Sequence, residues 1–290
     1  MFISLKIFPR WFMVNFIDKI IEYWQFPFVK YAFISGILIA ISSSLLGLVL
    51  VLKRYSHIGT SLSNVAFGSM SMASVIGLTK EIYLILPVTV ASSVVLLKHK
   101  ESRFRSDASL AMISVFFLAL GYMLMNVFKS GPNVAVDVCT TLFGSLSILT
   151  LTKSDVLICL VLASMIILFF IFYYNKIFLL TFDESYAKAS GLNIEKLNLM
   201  LAIIIALTIS ISLRLVGSLL VCALMVFPTM SAVKICRSFK KISIFVAISS
   251  ILMAVLGICV SIVFGLPVGP TIVFINALVF VIANIIGKRI

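Results

Sequence analysis

Apolar residues gather into runs of about 20, separated by short links rich in Lys, Arg, Gly and Ser, and this rhythm repeats along almost the whole chain. A helix rises about 1.5 Å per residue, so a run of that length spans the roughly 30 Å of hydrocarbon in a bilayer. The pattern predicts helices over 31–52, 58–78, 82–97, 108–128, 155–174, 197–213, 216–233, 242–264 and 271–286. The expected fold class is an all-α integral membrane protein, a polytopic bundle of about 8–9 transmembrane helices. Residues 1–30 stand outside the rhythm and form a separate N-terminal extension ahead of a membrane domain over 31–290. Between Trp11 and Trp24 its residues Phe12, Phe16, Ile20 and Tyr23 recur at helical spacing with aromatics suited to the headgroup layer. That stretch reads either as an interfacial amphipathic helix or as a poorly ordered extension.

The second run breaks the apolar pattern, because Gly59, Thr60, Ser61, Ser63, Asn64, Gly68, Ser69 and Ser71 make it unusually polar. Thr60, Asn64, Gly68 and Ser71 recur at helical spacing and share one face. In hydrocarbon such groups either bond to neighbouring helices or line a path. Thr60, Ser63, Asn64, Gly68 and Ser71 are therefore candidates for a translocation lining. The alternative is a packing seam, in which small residues let helices approach closely.

Composition agrees with lipid as the main solvent: 62% of the 290 residues are hydrophobic and only 11% are charged, too few to cover a water-soluble surface. The net charge is +13, and 15 of the 23 Lys and Arg residues fall in clusters that follow every second run: Lys53 and Arg54; Lys98, Lys100, Arg103 and Arg105; Lys176, Lys188 and Lys196; Lys234, Arg237, Lys240 and Lys241; Lys288 and Arg289. By the positive-inside rule these clusters and the C-terminus face the cytoplasm of a multi-pass protein. No basic stripe with interleaved aromatics is present, so nucleic acid is excluded as a partner.

Candidate chemistry is sparse. Cys139, Cys159, Cys222, Cys236 and Cys259 are scattered without a CxxC pair and read as small core residues. His57 stands beside Lys53 and Arg54, where an interfacial histidine or a metal ligand both fit, and His99 lies in a basic loop. Asp137 and Asp155 fall near the outer ends of runs, and no HExxH or convergent set of acid, base and nucleophile argues for an enzyme. A P-loop is absent as well, so by that route this chain cannot itself hydrolyse ATP.

The longest basic-side link, 175–196, holds a short amphipathic element. Thr181 can cap it, Asp183 and Glu184 suit its positive N-terminal end, and Gly191 suits its stop. It could dock a partner or simply connect two spans.

From Phe28 to Ile286 the chain resembles the metal-type ABC transporter permease family, the importers of zinc, manganese and iron. The likeness is strongest at Thr181-Phe-Asp-Glu-Ser-Tyr-Ala-Lys-Ala-Ser-Gly-Leu-Asn193, which looks like that family's coupling segment. Ser212 to Val221, Phe227-Pro-Thr229, Leu142-Phe-Gly144 and Gly265 to Thr271 match further landmarks in the same order. The resemblance implies a homodimeric permease with a separate ABC ATPase subunit beneath and an extracytoplasmic metal-binding protein above, in a bacterial cytoplasmic (inner) membrane. ATP would be bound by the partner, a divalent metal would be the cargo, and no cofactor would be held by this chain. Asp183, Glu184 and Gly191 are then the expected residues of the ATPase coupling helix, with no catalytic role. An autonomous ion-coupled carrier or channel is the competing class, but no buried acidic pair marks an ion site.

One departure stands out. Where the family's second span carries Gly-Asp-Ala-Ile/Leu-Ser-His, this chain reads Gly59-Thr60-Ser61-Leu62-Ser63-Asn64. The Asp position is Thr60 and the His position is Asn64, so a charged oxygen and an imidazole are replaced by a hydroxyl and an amide. Neutral oxygens hold zinc more weakly and suit harder cations such as manganese better. The resemblance ranks zinc first, and the ligand chemistry brings manganese close behind.

Overall fold

A computed structural model describes residues 23–78, 81–98, 107–128, 142, 144 and 151–287. Among them lie ten helices: α1 (Pro27–Leu52), α2 (Ser56–Ile76), α3 (Ile82–Lys98), α4 (Asp107–Phe128), α5 (Lys153–Phe182), α6 (Glu184–Ala189), α7 (Ile194–Val216), α8 (Ser218–Ile235), α9 (Phe239–Phe264) and α10 (Val268–Gly287). Seven are long and apolar enough to cross a membrane, namely α1, α4, α5, α7, α8, α9 and α10. The 17-residue α3 is apolar but short, and α2 has the length without the hydropathy. Together these account for the nine runs in the sequence, and the all-α membrane bundle is the fold.

Several ends differ from the hydropathy reading for local reasons. α1 begins at Pro27, inside the extension drawn over 1–30, because Pro at the first helical positions needs no N–H partner. The interfacial stretch from Trp11 lies mostly outside the described residues. α5 runs for 30 residues, about 45 Å, so 175–182 is helix and the link it was assigned to shrinks to 183–193. Its start is set by a capping box, in which Thr152 and Asp155 bond each other's backbone. α7 and α8 are separated by Gly217 alone, at φ 90° and ψ 156°, a conformation open essentially only to glycine.

The bundle is built around two central helices. α1 packs against α5, α8 and α9, while α2 packs against α3, α4, α7 and α8. Without a hydrophobic drive between helices in lipid, close approach needs small residues. At Gly47 a Cβ would lie 2.0 Å from the Met225 carbonyl oxygen, so α1 and α8 touch backbone to backbone there. Buried hydroxyls tie other pairs: Ser44 to Ser250 at 3.0 Å joins α1 to α9, and Thr89 to Ser210 at 2.6 Å joins α3 to α7. The outward faces of α4 and α5 carry exposed Met112, Phe116, Met123, Leu168 and Phe172, as lipid or a second subunit requires.

Candidate functional site

Two regions carry the residues singled out by sequence, and the turn between α1 and α2 adjoins both. The first is α2 itself. Its polar face divides. Gly68 and Ser71 sit in the seam with α4: a Cβ on Gly68 would lie 2.7 Å from the Phe117 carbonyl oxygen, and one on Gly121 would lie 3.0 Å from the Ser71 Oγ. Ser71 donates back to the Phe67 carbonyl at 3.0 Å, satisfying its hydroxyl within its own helix. Both are therefore buried where α2 packs on α4. Ser63 is also fully buried and donates to the Ser218 carbonyl on α8 at 3.1 Å, just past the Gly217 break.

Thr60 and Asn64 differ from them by remaining partly exposed, with the exposed His57 one turn below on the same face. Thr60 donates to the His57 carbonyl at 2.8 Å. Asn64 donates from Nδ2 to the Ser114 Oγ on α4 at 2.6 Å, and its Oδ1 has no hydrogen-bond partner among the described residues. Thr60, Asn64 and Ser114 thus form an oxygen-rich strip along the α2–α4 edge, with His57 one turn below. No group of three or more His, Cys, Asp or Glu that could hold a metal occurs among the described residues. Such a strip can pass a cation from oxygen to oxygen, but it lacks the charged ligands that hold zinc firmly. Sequence spacing found this face but missed Ser114, whose role emerges only when α4 packs on α2.

The second region is α6. Asp183, in extended backbone between α5 and α6, caps the short helix by accepting from the Tyr186 N–H at 2.9 Å. Thr181 does not cap it, because α5 runs on to Phe182 and the Thr181 hydroxyl donates to the Phe178 carbonyl instead. Gly191 ends the element with φ 78°, in the left-handed region, and a Cβ there would meet nothing. Ala187 anchors the inner face of α6, being buried to 1%. Glu184 pairs with Lys53 at the end of α1, Oε1 to Nζ 3.2 Å. Two aromatics that sequence reasoning passed over are exposed here, Phe182 at the end of α5 at 59% and Tyr186 on α6 at 60%. A cleft lined by Lys53, Arg54, Tyr55, Thr181, Phe182 and Glu184 opens between α6 and the α1–α2 turn. Asp137, His99 and Cys139 lie outside the described residues, whereas Cys159 and Cys222 are packed against helices.

The geometry has known counterparts. The chain is 28% identical over 256 residues to the high-affinity zinc uptake system membrane protein ZnuB of Buchnera aphidicola subsp. Baizongia pistaciae, covering 88% of this chain and 96% of that one. It is 24% identical to the manganese transport system membrane protein MntC of Listeria monocytogenes, over 91% of this chain and 92% of that one. Its fold matches PsaBC from Streptococcus pneumoniae, solved in complex with a Fab, with a TM-score of 0.79 at 24% identity, over 93% of this chain and 95% of that one. Residues 25–287 match the ABC 3 transport family, and the chain belongs to that family.

Proposed function

We propose that this chain is the membrane permease of a binding-protein-dependent importer of divalent metal ions, zinc first and manganese or iron next, working as a homodimer in a bacterial cytoplasmic membrane. The observation that carries this reading is α6: a capped helix, fixed to the bundle by Ala187 and the Lys53–Glu184 pair, with Tyr186 exposed on it and Phe182 exposed just before it at the end of α5. Exposed aromatics beside a buried anchor are what a docking contact uses. The basic clusters put this end of the bundle in the cytoplasm, together with the C-terminus, where a separate ATPase subunit would meet it.

Nucleotide binding by the ATPase would carry α6, and with it the α1–α2 turn, so that the strip of Thr60, Asn64 and Ser114 faces alternate sides of the membrane. An extracytoplasmic metal-binding protein would deliver the ion to the opposite end. Neutral oxygens make the strip a low-affinity relay, which favours release over retention and leaves metal choice largely to the delivering protein.

Uptake of radioactive zinc and manganese into liposomes holding the chain, its ATPase and its binding protein tests the reading. Uptake of either metal that stops when ATP or the ATPase is withheld is the expected result. Uptake by the chain alone, without ATP, would replace it with an autonomous carrier or channel.

A further inference from the structure

Lys53 carries its ammonium almost fully buried, with 4% of its side chain exposed. A buried ammonium is costly unless its protons are taken up by partners. Here the partners come from separate elements. Nζ lies 2.8 Å from the Asn198 Oδ1 on α7, 3.2 Å from the Glu184 Oε1 on α6, and 6.0 Å from the centre of the Tyr55 ring in the α1–α2 turn. One charge thus holds the ends of α1, α6 and α7 together.

The links on either side of α6 are short and extended. Only Asp183, at φ −145° and ψ 96°, separates α5 from α6, and the left-handed Gly191 follows. Bends at these two points would absorb a push on α6 were the helix not tied elsewhere. On the other side, Lys53 is joined to α2 by Arg54 and Tyr55 alone. That turn is tight: Arg54 N donates to the Val51 carbonyl at 3.0 Å, Tyr55 N donates to the Leu50 carbonyl at 2.7 Å, and Arg54 adopts φ 61°. A displacement reaching Lys53 therefore reaches the first turn of α2, where His57 and Thr60 lie.

We propose that Lys53 is a positioning residue that locks α6 to the α1–α2 turn, so that motion of α6 is passed to the Thr60–Asn64 face of α2. The proposal rests on the permease reading. The charge supplies strength, and its burial among partners on separate helices supplies direction, because moving α6 away parts the Glu184 carboxylate from an ammonium that α1 carries and α7 holds in place.

The assembled complex in liposomes gives the first test, read as zinc taken up per ATP hydrolysed. With Lys53→Gln the ATPase still co-purifies and the ratio falls about tenfold or more, a loss that mere destabilisation would not give because it lowers uptake and hydrolysis alike. Exchanging the charges, Lys53→Glu with Glu184→Lys, restores the ratio to within about threefold, since the Asn198 amide can donate to a carboxylate as readily as it accepts from an ammonium. An unchanged ratio in Lys53→Gln, or an exchange no better than the single variant, overturns the proposal.

A second test needs neither metal nor ATPase. Spin labels at Ser185→Cys and His57→Cys in the chain alone, its other cysteines replaced, report the separation of α6 and α2. The distribution is narrow in the parent and broadens when Glu184→Gln is added; equal widths overturn the proposal. If the unaltered complex moves no metal, the permease reading fails while this distance measurement still decides the role of Lys53.

Discussion

α2 and α6 are both polar segments in an oily chain, yet they use polarity in opposite ways. α2 carries no Asp, Glu, Lys or Arg, and it spends its hydroxyls and glycines on helix contacts: Ser61 on the Leu110 carbonyl, Ser63 on the Ser218 carbonyl, and Gly68 on the Phe117 backbone. α6 and its flanks carry charges with assigned partners, Asp183 on the Tyr186 N–H and Glu184 on Lys53. The contrast teaches that a helix inside the bundle gains close approach from neutral small groups, where an unpaired charge would be ruinous. A short helix at its edge gains definite position from charge, where water softens the cost.

The comparison breaks most sharply at Gly68. If α2 is a seam above Asn64, Gly68→Leu forces α2 and α4 apart and costs about 3 kcal/mol or more. Thermal unfolding in detergent, followed by size exclusion, should show the variant losing its folded peak well below the parent. A normal melting profile would mean that this stretch is open rather than packed. Next comes the strip itself. Thr60→Asp with Asn64→His supplies a carboxylate and an imidazole on one face, and zinc binding by the permease, measured by calorimetry, is expected to tighten about tenfold or more. Unchanged affinity would remove these two residues from the path.

Smaller effects belong to α6. Asp183→Ala removes the cap and costs about 1 kcal/mol, read as a several-fold weaker hold on the ATPase in co-purification. Asp183→Asn keeps an oxygen for the Tyr186 N–H and should stay within a few tenths of a kcal/mol of the parent. A loss with Asn as large as with Ala would mean that the ATPase reads the charge of Asp183 directly.

The membrane bundle was legible in the sequence because lipid imposes one rule on every span, and a 20-residue apolar run obeys it without help from neighbours. The stop of α6 was also local, so Gly191 could be placed from residue type and spacing, whereas the cap was assigned to Thr181 and is Asp183. Thr181 was misplaced because Asn175 and Lys176 suggest an end to α5, whereas its Ile177 and Leu180 are buried and carry the helix two turns further. What could not be read was pairing between distant segments. Nothing near Lys53 announces Glu184 or Asn198, and nothing near Asn64 announces Ser114. The division of the α2 face into a seam and a strip likewise depends on Phe117 and Gly121 of α4, which periodicity within α2 does not contain.

Reaction of a single cysteine in α6 with a membrane-impermeant maleimide tests most directly whether this helix is the lever between nucleotide chemistry and the path. With the five native cysteines replaced, Ser185→Cys places the thiol at an exposed position beside the Glu184 pair. The account predicts labelling in inverted membrane vesicles, none in intact cells, and protection when the ATPase subunit is assembled. Labelling from the outside of intact cells, or labelling indifferent to the ATPase, would contradict it.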